Sequence, residues 1–264
     1  MTQPISVVIP VYDGVTQLDF TGPHQFLSRT PDLNVRVASL GGEAVTADRL
    51  TFANLEDLTV IKSCDVLLVP GGGGCINAIE NDRFIKEIAR LGATARYLTS
   101  VCTGSLVLGA AGLITGRRAA CHWAWRQFLP VFGAVVDEGR IVRDGNILSG
   151  GGVTAGIDFV LALIAELRGS RVAEMVQLGL EYAPQPPLRL RPPGHGASRS
   201  AGSGEHAQRS GLRRTTCAYR RLGRRPSRGP ARLRSPKADT IPRRRTNQAR
   251  PMTNGARCEP KRKV

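Results

Sequence analysis

A short apolar run that passes into a helix-forming run across one cysteine, Tyr97 to Gly112, constrains the fold of this chain more than any other stretch. Tyr97-Leu-Thr-Ser-Val101 is apolar and β-branched, the pattern of a buried strand. Ser105 to Ala111 is rich in Leu and Ala and holds no proline, which suits a helix. Cys102 sits at the junction, followed by Thr103 and Gly104. A sharp strand-to-helix turn exposes its central side chain at the strand end, with helix N–H groups aimed at it. This is the mechanical arrangement of a nucleophile elbow, built on a thiol. The positive end of the helix would lower the thiol pKa. The alternative is an inert cysteine in a core strand, and the strand–Cys–Thr–Gly–helix context favours the reactive reading.

The rest of the body repeats the strand-then-helix order. Strands are expected at Ile5–Pro10, 33–40, 65–70 and 96–101, with a further one at 117–121 and weak structure over 50–58. Helices are expected over 15–28, interrupted at Thr21-Gly-Pro23, over 78–91, 105–111 and 123–128, and over 155–168 and 171–182. Arg140 to Ser149 carries a hairpin signal, with Asp144-Gly145 supplying the turn. Strands alternating with helices predict an α/β fold, a mostly parallel sheet with helices on both faces. Sites in such sheets lie at the C-terminal strand ends.

Charge divides the chain in two. Residues 187–264 hold 22 of the 37 Lys and Arg but only 3 of the 21 Asp and Glu, so all of the net +16 lies there. The body, 1–187, is an ordinary, slightly acidic globular domain. The remainder, 188–264, is Arg-, Pro- and Gly-rich without helical periodicity, and disorder is the expectation. Such an arm could bind nucleic acid only electrostatically, so nucleic acid is an unlikely partner. A further reading is that this segment is translated out of frame: removing one base from a GC-rich back-translation of Leu188 to Gly196 permits the polar, turn-rich stretch Phe-Asp-Ser-Gly-His-Pro-Asp-Thr-Ala. The six cysteines form no C-x-x-C pair, there is no signal-peptide pattern, and no run of about 18 apolar residues occurs. These features predict a cytoplasmic protein without a membrane span.

Three features fall at the predicted site edge. Cys102 is the candidate nucleophile. Asp19, on the segment that follows the first strand, is a candidate acid whose pKa burial and a nearby thiolate would raise, or alternatively a helix cap. The glycines at 71–74, Gly72 and Gly73 above all, could present N–H donors with Thr103 N–H to developing negative charge, or could serve only a tight turn. His122 is either a general base for Cys102 or a polar core residue. No spacing of His, Cys or Asp reads as a metal site.

These residues make the body resemble the DJ-1/PfpI superfamily, and within it the isocyanide hydratases. The matching pieces are Gln17-Leu-Asp-Phe-Thr-Gly-Pro-His24, Val69-Pro-Gly-Gly72, Thr99 to Leu113, His122-Trp123, Arg143-Asp-Gly-Asn146, Gly150-Gly-Gly152, Thr154 to Phe159 and Gln177 through Pro184. The resemblance implies a flavodoxin-like sandwich, a homodimer, no cofactor and no metal. It implies that Cys102 attacks the terminal isocyanide carbon, that Asp19 manages protons, that Thr103 assists, and that a covalent thioimidate is hydrolysed to an N-substituted formamide. Thr103 stands where the protease branch has His, and Asp19 where the glyoxalase branch has Glu, which disfavours both. The rival reading is a ligand-sensing domain of the kind joined to helix-turn-helix modules in AraC-type regulators.

Overall fold

The structure, a computed structural model, describes residues 4–188. The expectations for the basic segment beyond Leu188 lie outside the described residues. Among the described residues, seven of the eleven strands are the expected ones or parts of them. β1 (Ile5–Pro10) is followed by β2 (Leu33–Ser39), the hairpin β3 (Val45–Ala47) and β4 (Leu50–Phe52), and β5 (Glu56–Asp57). Then come β6 (Val66–Val69), β7 (Tyr97–Val101), β8 (Arg118–Ala119), β9 (Val135–Val136), β10 (Ile141–Asp144) and β11 (Ile147–Gly150). The helices are α1 (Gln17–Leu27), α2 (Cys75–Glu80), α3 (Asp82–Gly92), α4 (Gly104–Ala110), α5 (Ala155–Arg168) and α6 (Ser170–Gly179).

Seven strands form one sheet in the order β10-β11-β7-β6-β1-β2-β5. Every pairing in it is parallel except β10 with β11. All four residues of β6 are fully buried, as its unbroken apolar run requires of a strand covered on both faces. The flanking helices form two groups: α1 packs on α5 and α5 on α6, while α2 and α3 pack on α4. The mostly parallel α/β sheet is therefore the expected one. Its C-terminal strand ends carry the turn after β1, the glycine loop after β6 and the elbow after β7.

Local departures have local causes. The helix expected over 78–91 is two helices, because the Asn81 side chain accepts from the N–H groups of Arg83 and Phe84, both at 3.1 Å, and caps α3. Helix α1 runs through Thr21-Gly22-Pro23 without a break. The stretch after Trp123 is a 3-10 helix, Arg126–Phe132, that includes Pro130 instead of stopping there. The strand expected at 117–121 shrinks to two residues paired with β9, which was not foreseen. The hairpin is present, but Asp144 still pairs with Ile147, so Gly145 and Asn146 form its turn. After α6 the chain returns to the body: Tyr182 Oη donates to Asp158 Oδ1 at 2.6 Å and its ring meets Phe26 edge-on at 5.8 Å. Among the described residues no helix is long and apolar enough to cross a membrane.

Candidate active site

The elbow is real and strained. Cys102 has φ +59°, a left-handed conformation that costs a β-carbon-bearing residue energy. Two bonds hold it there: its N–H donates to Gly150 O at 2.9 Å, and Ser105 Oγ donates to its carbonyl at 3.0 Å. Thr103 stands at the N-cap position of α4 without a side-chain cap bond, and Gly104 begins the helix. A Cβ on Gly104 would collide with the Val69 carbonyl oxygen, so only glycine lets α4 start this close to the end of β6. Gly71 is pressed in the same way: a Cβ there would sit 2.7 Å from Thr103 Oγ1 and 2.9 Å from Asp19 Oδ2. The Cys-Thr-Gly triplet and the first glycine of the loop are thus sequence traces of one backbone crossing.

The structure brings the sequence-predicted residues together. Asp19, in the first turn of α1, is fully buried; it caps nothing, since α1 has no side-chain cap. Its Oδ2 accepts from Gly71 N–H at 3.1 Å, and its carboxyl is coupled to the Cys102 thiol. Thr103 is buried and its hydroxyl is engaged twice with Gly72, accepting from Gly72 N–H at 2.8 Å and donating to Gly72 O at 3.1 Å. In this arrangement the Gly72 N–H is occupied and does not point a free donor at a substrate. Gly72 and Thr103 instead lock the glycine loop to the elbow, while the space beside Gly73 is open.

Electrostatics at the pair differ from the simple helix-end expectation. Burial pushes the Asp19 carboxyl up to about 7, opposed by the Gly71 N–H and the thiol and assisted by Asp48. Burial also pushes the Cys102 thiol well above its ordinary value, and the charges of Asp19 and Cys121 add to this. The Thr103 N–H acts in the lowering direction, as expected of a helix start, but burial and the carboxylate outweigh it. The expected lowering of the thiol is corrected accordingly. With Cys102 only 5% exposed, solvent does little to stabilise a negative sulfur there, and the Asp19 carboxyl is the neighbouring group placed to hold the proton the thiol gives up.

His122 is half-buried. Its Nδ1 accepts from Ala124 N–H at 3.3 Å, its ring tilts against Trp123, and burial lowers its pKa, so it stays neutral. Its contacts are those of a polar residue lining the loop by Gly152 rather than of a base bonded to the thiol. Sequence reasoning missed Tyr12, whose hydroxyl donates to Pro70 O at 3.0 Å in the buried interior, and Cys121, whose thiol burial pushes up to about 12. Tyr12 lies two residues past the end of the first strand, and that position was its only signal.

Comparison with known proteins finds a matching family and similar folds. The model of the DJ-1/PfpI family matches residues 5–166. An isonitrile hydratase from Pseudomonas putida is 48% identical over 181 residues, covering 67% of this chain and 78% of that protein. The HTH-type transcriptional regulator CdhR of Pseudomonas aeruginosa is 31% identical over 142 residues, 52% of this chain but 41% of the regulator. A crystal structure of a ThiJ/PfpI family protein from Pseudomonas syringae superposes with a TM-score of 0.74 at 35% identity, covering 83% of this chain and 90% of that one.

Proposed function

This chain belongs to the DJ-1/PfpI family, and on that premise we propose that it hydrates isocyanides to N-substituted formamides with Cys102 as nucleophile. The observation that carries the reading is the buried thiol coupled to a buried carboxyl whose pKa is about 7, in a chain 48% identical to an isonitrile hydratase. An isocyanide carbon has little polarity and reacts with a soft nucleophile that is accompanied by a proton donor.

The steps follow from the pair. With one proton shared between them, Asp19 takes the thiol proton as sulfur bonds to the terminal carbon. The carboxylic acid then delivers that proton to the same carbon, leaving a thioimidate in which carbon is doubly bonded to nitrogen. Water adds its oxygen to this carbon and one proton to nitrogen. The carbon–sulfur bond breaks as the carbonyl forms, and the hydroxyl proton returns through Asp19 to sulfur. Isocyanide and water are consumed and formamide is released, with the pair restored. Thr103 contributes its backbone N–H to the sulfur and its hydroxyl to the posture of the glycine loop. Gly73, on the open side of that loop, is the glycine left to face the substrate. The near-complete enclosure of Cys102 favours a slender electrophile that approaches end-on. Assembly as a homodimer in the cytoplasm belongs to the same proposal.

The test is turnover of an aryl isocyanide to its formamide by the purified protein. Cys102→Ala is expected to lower it by at least about 1,000-fold and Asp19→Ala by about 100-fold. Turnover that survives in Cys102→Ala overturns the mechanism. No turnover in the wild type, together with binding to specific DNA, would favour the ligand-sensing reading, for which the similarity to a transcriptional regulator is the supporting observation.

A further inference from the structure

One peptide group stands between two side chains that have no direct bond. Tyr12 Oη donates to Pro70 O at 3.0 Å, and Gly71 N–H donates to Asp19 Oδ2 at 3.1 Å. The Pro70 carbonyl and the Gly71 N–H belong to the same peptide unit. In a trans peptide they point in opposite directions from one conjugated plane. The four groups therefore form a continuous chain: phenol, carbonyl, amide N–H, carboxylate. Hydrogen bonding to a carbonyl draws electron density from the amide nitrogen and makes its N–H a stronger donor, and burial amplifies the effect. Tyr12 is 8% exposed and Asp19 is fully buried, so water does not short-circuit the chain.

We propose that Tyr12 is a positioning residue for the reaction, acting on Asp19 through the Pro70–Gly71 peptide and setting how firmly the Gly71 N–H holds the carboxylate. The inference rests on the reading of Cys102 and Asp19 as the reacting pair. The Tyr12 ring is fixed edge-on against Phe84 with centroids 5.5 Å apart, so the hydroxyl is aimed rather than free to rotate away. The ionisable groups around this chain are Cys102 and Asp48 acting on Asp19, Cys75 acting on Tyr12, and Cys121 acting on Cys102. Burial raises the phenol, and Cys75, Asp19 and Cys102 add to this, so Tyr12 keeps its proton and remains a donor wherever the pair operates. Without the phenol, the amide donor weakens and the carboxylate loses support. The single-proton state of the pair then forms only at higher pH.

The experiment follows the rate at which iodoacetamide alkylates Cys102 across pH, resolved by peptide mass so that the other cysteines do not interfere. It does not depend on which substrate the protein takes. The wild-type rate is expected to rise with a midpoint near 7. Tyr12→Phe, which keeps the ring contact, should move the midpoint upward by about half a unit, roughly a three-fold slower reaction on the acid side. Replacing Tyr12 by 3-fluorotyrosine, a stronger donor, should move it downward, a reversal that loosened packing cannot produce. In an Asp19→Asn background both changes should lose their effect. A midpoint that stays put in the Phe and fluorotyrosine proteins overturns the proposal, whatever the isocyanide assay gives. Shifts in opposite directions uphold it even if isocyanide is not turned over, in which case only the substrate reading falls.

Discussion

At the scale of single residues, Asp19 links reactivity to stability. Its ordinary pKa of 3.8 is raised to about 7 in the fold by burial. Between those values the folded protein holds a proton that the unfolded chain has lost. Stability therefore falls as pH rises through that window, by on the order of 4 kcal/mol, and is flat above it. Asp19→Asn keeps an acceptor for the Gly71 N–H and removes the ionisable group. The variant is expected to melt higher than wild type at about pH 8 and close to it at about pH 4, while turnover falls. Equal melting differences at both pH values would contradict this assignment. The same titration gives turnover an ascending limb near 7, and the raised thiol keeps the descending limb well to the alkaline side. Cys102 was legible from sequence because it sits just beyond a strand end, and Asp19 because it is an acid on the segment that follows the first strand. The direction of the Cys102 shift was not, because a helix end is visible in one dimension and burial is not.

Among elements, the crossing of α4 over the end of β6 is the most confined. Helix propensity alone says that Gly104→Ala should stabilise α4 by about 1 kcal/mol. The Val69 carbonyl oxygen in the path of a Cβ says the reverse, since a backbone atom cannot step aside cheaply. Gly104→Ala is expected to lower stability by about 2 kcal/mol in chemical denaturation and to slow Cys102 alkylation, because the start of α4 must back away. A gain in stability would mean that the contact is softer than drawn. The elements themselves were read well where period and length agree, as in β1, β7 and α5. They were read poorly where one side chain decides, as at Asn81, which splits a continuous apolar period into α2 and α3. The pairing of β8 with β9 was invisible because two-residue strands carry no period.

For the molecule as a whole, the charge boundary after Pro187 and the end of the tethered chain lie close together. Tyr182 bonds Asp158 near the start of α5, and Asp158 in turn receives Arg140 at 2.5 Å, tying the last segment to the residue just before β10. A chain ending at Pro187 is expected to melt within a few degrees of the full-length protein and to keep its turnover, whereas one ending at Glu181 loses this tie and melts several degrees lower. If both shortened chains melt alike, the tie contributes nothing. The mostly parallel sheet followed from the alternation of strands with helices. The tie did not, because it joins an otherwise unremarked tyrosine to an aspartate 24 positions away in the sequence. The left-handed Cys102 has a consequence on a longer horizon. A glycine would sit at that φ without the roughly 1 kcal/mol that any side chain costs there. Under pressure for folding alone the position would drift toward glycine, and the reactive sulfur would be among the first features lost; a cysteine in that posture is the mark of chemistry holding out against stability.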